Sequence, residues 1–146
     1  MSAPVQRERL PARRRSTHYQ LTLGPSTTVH LRLGYYADGR VGEVWIDLHK
    51  EGAPYRYAWH VVARQASFAL QRGVSVEEVA AGLMGGRSEP SGEVTGHESV
   101  REASSIADLM GRVLLAAAGA PGLAGVRCGT HEEGFAAVLA LSRADG

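Results

Sequence analysis

The chain has 146 residues, 44% of them hydrophobic, and sixteen basic against fifteen acidic residues give a formal charge of +1. This size and composition predict one domain with its own core, and the balanced charge argues against a dedicated nucleic-acid binder. The single cysteine, Cys128, excludes an internal disulfide and a cysteine-based zinc site. The longest apolar run, residues 113–118, is too short to cross a bilayer, and the N-terminal arginines precede no signal-peptide core. We therefore expect a cytoplasmic protein without a membrane segment.

The N-terminal segment is much more basic than the rest of the chain. Its first fifteen residues contain five arginines opposed only by Glu8. These arginines are Arg7, Arg9, Arg13, Arg14 and Arg15. Residues 1–16 are predicted to form a flexible, solvated arm, with contact to phosphate or to an acidic partner as the alternative.

Apolar residues alternate with polar ones over the next part of the chain, which indicates strands. Residues 19–23 predict a short strand that ends at Gly24. Residues 28–48 predict a β-hairpin, and Asp38-Gly39 supplies residues able to take positive φ in its tight turn. The second strand of the hairpin is expected to point three side chains away from the core, namely Glu43, Trp45 and Asp47.

Two helices are predicted after the hairpin. A proline in the first turn and a glycine at the exit delimit a helix over residues 54–72. Small residues form its apolar face, and these are Ala58, Val62, Ala66 and Ala69. Ser75 and Glu78 then form a capping box for a short helix that extends to Met84.

The remainder of the chain predicts a loop, one more helix and an extension. Residues 85–96 are rich in Gly, Ser and Pro and indicate a loop. Ser99 and Glu102 form a second capping box, which predicts a helix that ends at Gly119. Residues 120–146 fit a weak helix and a strand pair equally well. The predicted fold is α+β, a small antiparallel sheet built on the hairpin and packed against two longer helices and one short helix, with the domain at residues 17–119.

One polar cluster, at the end of the hairpin, has the residue types of a reaction centre. Asp47, His49, Lys50 and Glu51 could supply an acid, a base and an electrophile. No nucleophile lies nearby, so a solvated rim with structural ion pairs is the favoured interpretation. The six histidines lack the spacing of a metal site. Four aromatic residues around the hairpin-to-helix junction suggest either a stacking surface or part of the core, namely Trp45, Tyr55, Tyr57 and Trp59.

Several ordered stretches of the sequence match a known family. They are Arg9-Leu-Pro-Ala-Arg-Arg14, Val29-His-Leu-Arg-Leu-Gly34, Asp38-Gly-Arg-Val-Gly-Glu43, Ile46-Asp-Leu-His-Lys-Glu-Gly52, Gly73-Val-Ser-Val-Glu-Glu78, Arg87-Ser-Glu-Pro-Ser-Gly92 and Ala103-Ser-Ser-Ile106. Over about residues 7–114 the chain resembles the TSCPD domain, a C-terminal accessory module of bacterial adenosylcobalamin-dependent ribonucleotide reductases. In those enzymes a cysteine radical and a reducing cysteine pair carry out the reaction, and one cysteine cannot supply them here.

The resemblance implies a non-catalytic accessory or binding module that binds no cofactor itself, adenosylcobalamin belonging to the full-length enzyme. Its expected partner is a reductase catalytic chain or a nucleotide, and a homodimer is a further possibility. The alternative is a module repurposed to bind nucleic acid or assemble macromolecules through the arginine arm. The candidate binding residues are the polar ones of the retained stretches: Arg32, Asp38, Arg40, Glu43, Asp47, His49, Lys50, Glu51, Arg87 and Glu89.

Overall fold

A computed structural model describes residues 3–48, 50–125 and 130–144 of the chain. The elements in chain order are β1 (Ser16–Leu23), β2 (Thr27–Tyr35), β3 (Val41–Asp47), α1 (Ala53–Gln71), α2 (Val76–Leu83), β4 (Gly92–Thr95), β5 (Glu102–Ala103), α3 (Ile106–Ala117), α4 (Pro121–Ala124) and α5 (His131–Ala144). The α+β class predicted from the sequence is confirmed. Among the described helices, none is both long and apolar enough to cross a membrane.

The strands form one antiparallel sheet in the order β3-β2-β1-β4-β5. The predicted hairpin is its β2–β3 pair, in which Leu33 faces Val44 across the two strands. One side of the sheet is a continuous buried surface, and it joins the buried residues of α2 and α3 in a single core. Two strands were not predicted, because β4 lies within the expected loop and β5 within the expected third helix. The alternation that predicts strands is too short to detect in segments of four and two residues.

The hairpin connection is longer than the tight turn that Asp38-Gly39 predicts. It comprises residues 36–40, where the Gly39 N–H donates to the Tyr36 carbonyl oxygen at 2.9 Å. Only Gly39 takes a positive φ there, at 94°. A register shift between Gly34 and Tyr35 turns the Tyr36 side chain inward, so this residue is buried although the alternation places it on the outer face.

Helix α1 lies along the outer edge of β3, and its side chains form hydrogen bonds with backbone groups of that strand. Ser67 Oγ accepts from the Val44 N–H at 3.0 Å and lies 3.0 Å from the Val44 carbonyl oxygen. Gln71 Nε2 donates to the Gly42 carbonyl oxygen at 2.9 Å. The predicted helix over residues 54–72 is therefore confirmed, but its apolar face is only partly correct: Ala66 is buried, whereas Ala58 is exposed in the N-terminal half of the helix.

The second capping box, Ser99 and Glu102, is wrong as the start of a helix. Ser105 is the N-cap of α3, because its hydroxyl oxygen accepts from the Asp108 N–H at 2.9 Å. The Ser99 N–H donates instead to Nδ1 of the buried His97 at 3.0 Å, which holds the chain in a turn, and Glu102 belongs to β5. Sequence spacing alone therefore placed the helix start too early.

The two terminal segments pack on this framework. In the segment expected to be a flexible arm, the Glu8 N–H donates to the Gln71 carbonyl oxygen at 2.8 Å, and the Val5 carbonyl oxygen accepts from Arg72 at 2.8 Å. Residues 131–144 form a helix, which decides between the two structures that the sequence left open for this part of the extension. Val138 of α5 is buried, and α5 packs against α2.

Candidate functional site

Four exposed residues follow the hairpin, and we call this group the junction surface: Lys50, Glu51, Tyr55 and Tyr57. Lys50 and Glu51 are exposed in the connection to α1. Tyr55 and Tyr57 lie in the first turns of the helix, with 41% and 61% of their surfaces accessible. His49, which the sequence also assigns to this cluster, lies outside the described residues. The junction surface is therefore rich in tyrosine, a residue type that is enriched at interfaces between proteins.

Beneath this surface, the carboxylate of Asp47 ties β3 to α1. Arg56 donates to both of its oxygens in a bidentate pair, each at 2.9 Å, and His60 Nε2 lies 3.2 Å from Oδ1. The hydrogen bonds from Arg56 are the main cause that lowers the pKa of Asp47 to about 2. With 13% of its side chain exposed, Asp47 anchors the start of α1 rather than facing solvent. The sequence predicted Asp47 as a binding residue but missed Arg56 and His60, whose spacing of four on one helix face was the available signal.

Three of the four aromatic residues of the junction take part in two separate ring contacts. Trp45 stacks on His60 with centroids 5.9 Å apart, and the Arg32 guanidinium carbon lies 5.3 Å from the Trp45 ring centroid. Tyr55 meets Trp59 edge to face at 6.4 Å. Both tryptophans are partly buried, whereas both tyrosines are exposed. The four rings therefore do not form one stacking surface, and the core alternative holds for Trp59, which packs against the core.

A second cluster lies at the hairpin connection, away from the junction surface in the fold. Arg40 Nε donates to Asp38 at 2.7 Å, and its Nη2 donates to Glu8 at 3.1 Å. The backbone hydrogen bond from Arg40 is the largest cause that lowers the pKa of Asp38. Arg14 forms a bidentate pair with Glu43 at 2.9 and 3.0 Å. These candidate binding residues thus contact the N-terminal segment of the same chain.

The arginines of the N-terminal segment fall into two groups. Arg7 donates to Gln71 Oε1 and lies over the Phe68 ring at 4.6 Å, and Arg14 pairs with Glu43, so both have partners within the domain. The other three are exposed, and their side chains have no hydrogen bond or ion pair within the described part of the chain: Arg9, Arg13 and Arg15. Only this second group leaves its charge available to another molecule.

Of the remaining candidates, Arg87 and Glu89, Arg87 lines a cleft of about 230 Å³. Arg87 donates to Glu89 at 3.3 Å, and the Ser91 hydroxyl group donates to the same carboxylate at 2.9 Å. The bond from Ser91 is the largest cause that lowers the pKa of Glu89. The cleft is also lined by Ser104, whose buried hydroxyl oxygen has no hydrogen bond among the described residues. Buried hydroxyl groups usually have a partner, so this one is an unusual feature of the cleft.

The structure thus divides the predicted site residues among three places, with Arg32 on the outer face of the sheet. Of the described residues, no three His, Cys, Asp or Glu side chains lie together as ligands for one metal ion. The buried ion pair of the domain, Asp108 with Arg112 at 2.7 Å, was not predicted from the sequence. Asp108 also accepts from the Gly85 and Ser104 N–H groups, so it joins the loop before β4 to the start of α3.

Comparison with known families identifies the class of proteins to which this chain belongs. The family model of the TSCPD domain matches residues 4–118, which is most of the chain. The chain therefore belongs to the TSCPD-domain family, and the resemblance drawn from its sequence is confirmed. The matched range includes most of the N-terminal segment, in agreement with the contacts of that segment.

Three relatives that match the chain are vitamin B12-dependent ribonucleotide reductases. The chain is 40% identical to the reductase of Agrobacterium fabrum over 109 residues, which cover 75% of the chain and 8% of the reductase. It is 40% identical over 109 residues to that of Bradyrhizobium diazoefficiens, with 75% and 9% covered, and 33% identical over 108 residues to that of Rhodopirellula baltica, with 74% and 10% covered. The chain thus spans a tenth or less of the length of these reductases. No solved structure matches it.

Proposed function

We propose that this chain is a non-catalytic binding module whose partner is the catalytic chain of a cobalamin-dependent ribonucleotide reductase. The family supports the proposal, because the three relatives above are reductases in which the same domain is joined to a much longer chain. The observation that carries it is the exposure of Tyr55 and Tyr57 on a helix whose position is fixed.

The physical argument is that the junction surface exposes two tyrosine rings on a helix that is held in place. A tyrosine side chain buries a large ring and keeps a polar end, and it loses few rotamers on binding. The bidentate pair between Arg56 and Asp47 fixes the helix turn that carries both tyrosines, so little conformational entropy remains to be lost. Lys50 and Glu51 supply charges at the edge of the surface, where they would select the partner more than strengthen binding.

The proposal assigns no catalysis and no adenosylcobalamin to this chain. Cys128 is the single cysteine, whereas the reaction of the resembled enzymes uses a radical cysteine and a reducing pair. A cytoplasmic location, which the cysteine content favours, is part of the same proposal. The module would then act by assembling or stabilising a reductase.

The test is capture of the partner from an extract of the native cells. The intact chain is immobilised, and bound proteins are identified by mass spectrometry. The expected result is recovery of a reductase catalytic chain by the wild type and at least a tenfold smaller yield with the double variant Tyr55→Ser and Tyr57→Ser. Phe135→Ser is the matched control, because Phe135 is 38% exposed on α5 and lies outside the junction surface. Equal yields from the wild type and the double variant, or no reductase among the captured proteins, would refute the proposal.

A nucleotide is the second candidate ligand, and the cleft beside Arg87 favours it. Arg87 is 75% exposed at its side chain and bonded to Glu89 only at 3.3 Å, so it is able to turn toward a phosphate. The unbonded hydroxyl group of Ser104 provides a further donor. Calorimetric titration with a nucleoside diphosphate tests this candidate. Arg87→Ala should abolish binding while Arg64→Ala, an exposed arginine on α1, should not; equal heats from both variants would exclude the cleft.

Nucleic-acid binding through the N-terminal segment is the alternative that Arg9, Arg13 and Arg15 support. Contacts with phosphates release counterions, so the affinity for single-stranded DNA should fall steeply as the salt concentration rises. Capture of the reductase through the tyrosines should change much less. A triple Arg→Ala variant that still binds DNA with the same salt dependence would rule out this segment.

A further inference from the structure

Two histidines from different strands face each other on the outer side of the sheet. His18 lies on β1 and His30 on β2, and their side chains share the face opposite the core. In the register of the two strands His18 is opposite Arg32 and His30 is opposite Gln20, so the histidines are diagonal neighbours. Twelve residues separate them along the chain, and for this reason no sequence spacing indicates the pair.

The separation of one nitrogen of each ring suits a shared metal ion. His30 Nδ1 and His18 Nε2 are 3.4 Å apart, with ring centroids 5.5 Å apart and planes at 53°. Two nitrogen ligands at about 2.0–2.1 Å from a tetrahedral Zn²⁺ ion are separated by about 3.3–3.4 Å. The pair thus has the ligand separation of a zinc site without any movement of the strands.

The surroundings of the pair are open to water and carry charge of both signs. His18 is exposed, so water is able to complete the coordination of a bound ion. Asp47, directly across from His30 on β3, places a carboxylate on the same face. Arg32 brings a positive charge opposite His18, but its guanidinium group lies over the Trp45 ring. Asp47 is hydrogen-bonded to Arg56 and His60, and the Arg32 guanidinium group lies over Trp45, so both charges already have partners of their own.

We propose that His18 and His30 form a binding site for a divalent cation that prefers nitrogen ligands, such as Zn²⁺ or Cu²⁺. The protein supplies two ligands and water supplies the others, since the described residues offer no group of three or more ligating side chains. Such a site is weaker than a structural zinc site with four protein ligands. A bound ion would add a link between the side chains of β1 and β2 on the outer face of the sheet.

The site is tested on the full chain without a histidine tag. Calorimetric titration with ZnCl₂ should show one ion per chain. His18→Ala and His30→Ala should each weaken this binding at least tenfold, whereas Gln20→Ala, which removes a neighbour on the same face, should leave it unchanged. Circular dichroism of each variant reports whether its fold is retained. Absence of saturable Zn²⁺ binding by the wild type, or wild-type affinity in either histidine variant, would overturn the proposal.

A second measurement needs no variant and so does not depend on their folding. Electron paramagnetic resonance of the Cu²⁺-loaded wild type should show hyperfine coupling to two imidazole nitrogens. Coupling to one nitrogen, or to none, would contradict a shared site and leave the pair as a hydrogen bond between two rings.

Discussion

The hydroxyl group of Ser67 holds α1 against β3, and its removal should cost far more stability than removal of an ordinary serine hydroxyl. In the Ser67→Ala variant, the Val44 N–H loses the acceptor that lies 3.0 Å away. Ser67 is only 6% exposed, so water has little access to replace the lost hydrogen bond. The backbone of β3 is then left with a buried donor that has no partner.

The magnitude follows from the number of groups that lose a partner. A buried polar group left without a hydrogen bond costs about 1–3 kcal/mol. The Val44 carbonyl oxygen is affected less, because the single hydroxyl hydrogen of Ser67 is shared between it and the Ala63 carbonyl oxygen at 2.9 Å. We therefore expect the free energy of unfolding to fall by about 2–3 kcal/mol. For a chain of this size, that is a fall in Tm of roughly 6–9 °C.

Ser104→Ala is the matched control, because it removes a hydroxyl group that is also buried. The Ser104 oxygen has no hydrogen bond among the described residues, so its loss should change the free energy of unfolding by no more than about 0.5 kcal/mol. Both variants are compared with the wild type by urea unfolding. The comparison holds if the unfolding free energy depends on urea concentration with the same slope in all three proteins. If the two variants are equally stable, the hydrogen bonds of Ser67 do not contribute as the structure implies.

Three further predictions concern the ion pairs and the helix packing. The pKa of Asp47 is lowered in the folded state, so the ionised carboxylate stabilises the fold by about 1–2 kcal/mol, after allowance for solvent screening at the partly exposed Arg56. This contribution is present above about pH 4 and is lost as the pH falls toward 2. The free energy of unfolding of the Asp47→Asn variant should therefore depend less on pH in that range. Asp108→Asn should lower the free energy of unfolding, measured in urea, by about 3–5 kcal/mol because it leaves the buried Arg112 without its ion-pair partner. The double variant Asp108→Asn and Arg112→Met should lose less stability than the sum of the losses in the two single variants. Gly111→Ala should cost about 1–3 kcal/mol by the same assay, since its Cβ would come within 3.0 Å of a backbone oxygen of α2; an unchanged midpoint would mean that α2 and α3 separate without strain.

The parts of the fold that the sequence predicted well are those with strong local signals. Alternation over two long strands indicated the hairpin, and a proline and a glycine marked the ends of α1. The start of α3 was wrong because two segments have the spacing of a capping box. The first segment does not start a helix because its Ser99 and Val100 N–H groups donate to the buried His97. No local sequence pattern predicts a buried histidine in that role.

The candidate site was predictable in its residue types and not in its pairings. Asp47 was identified from its polar surroundings, but its partners Arg56 and His60 lie on the next element and are brought to it by the packing of α1 on β3. In the same way, Arg14 and Glu43 are 29 residues apart and meet only in the folded chain. Such contacts depend on tertiary structure, which spacing along one element does not encode.

The covering of β3 by α1 also limits how this module can join another protein. The outer edge of a sheet commonly accepts a strand from a second chain, which is a frequent route to dimers and to aggregates. Here the serine and glutamine side chains of α1 occupy the backbone groups that an incoming strand would need. A homodimer or a complex formed at that edge would first have to lift the helix away. The β3 edge of the sheet is thus closed to an added strand, and a partner at this edge must bind through side chains.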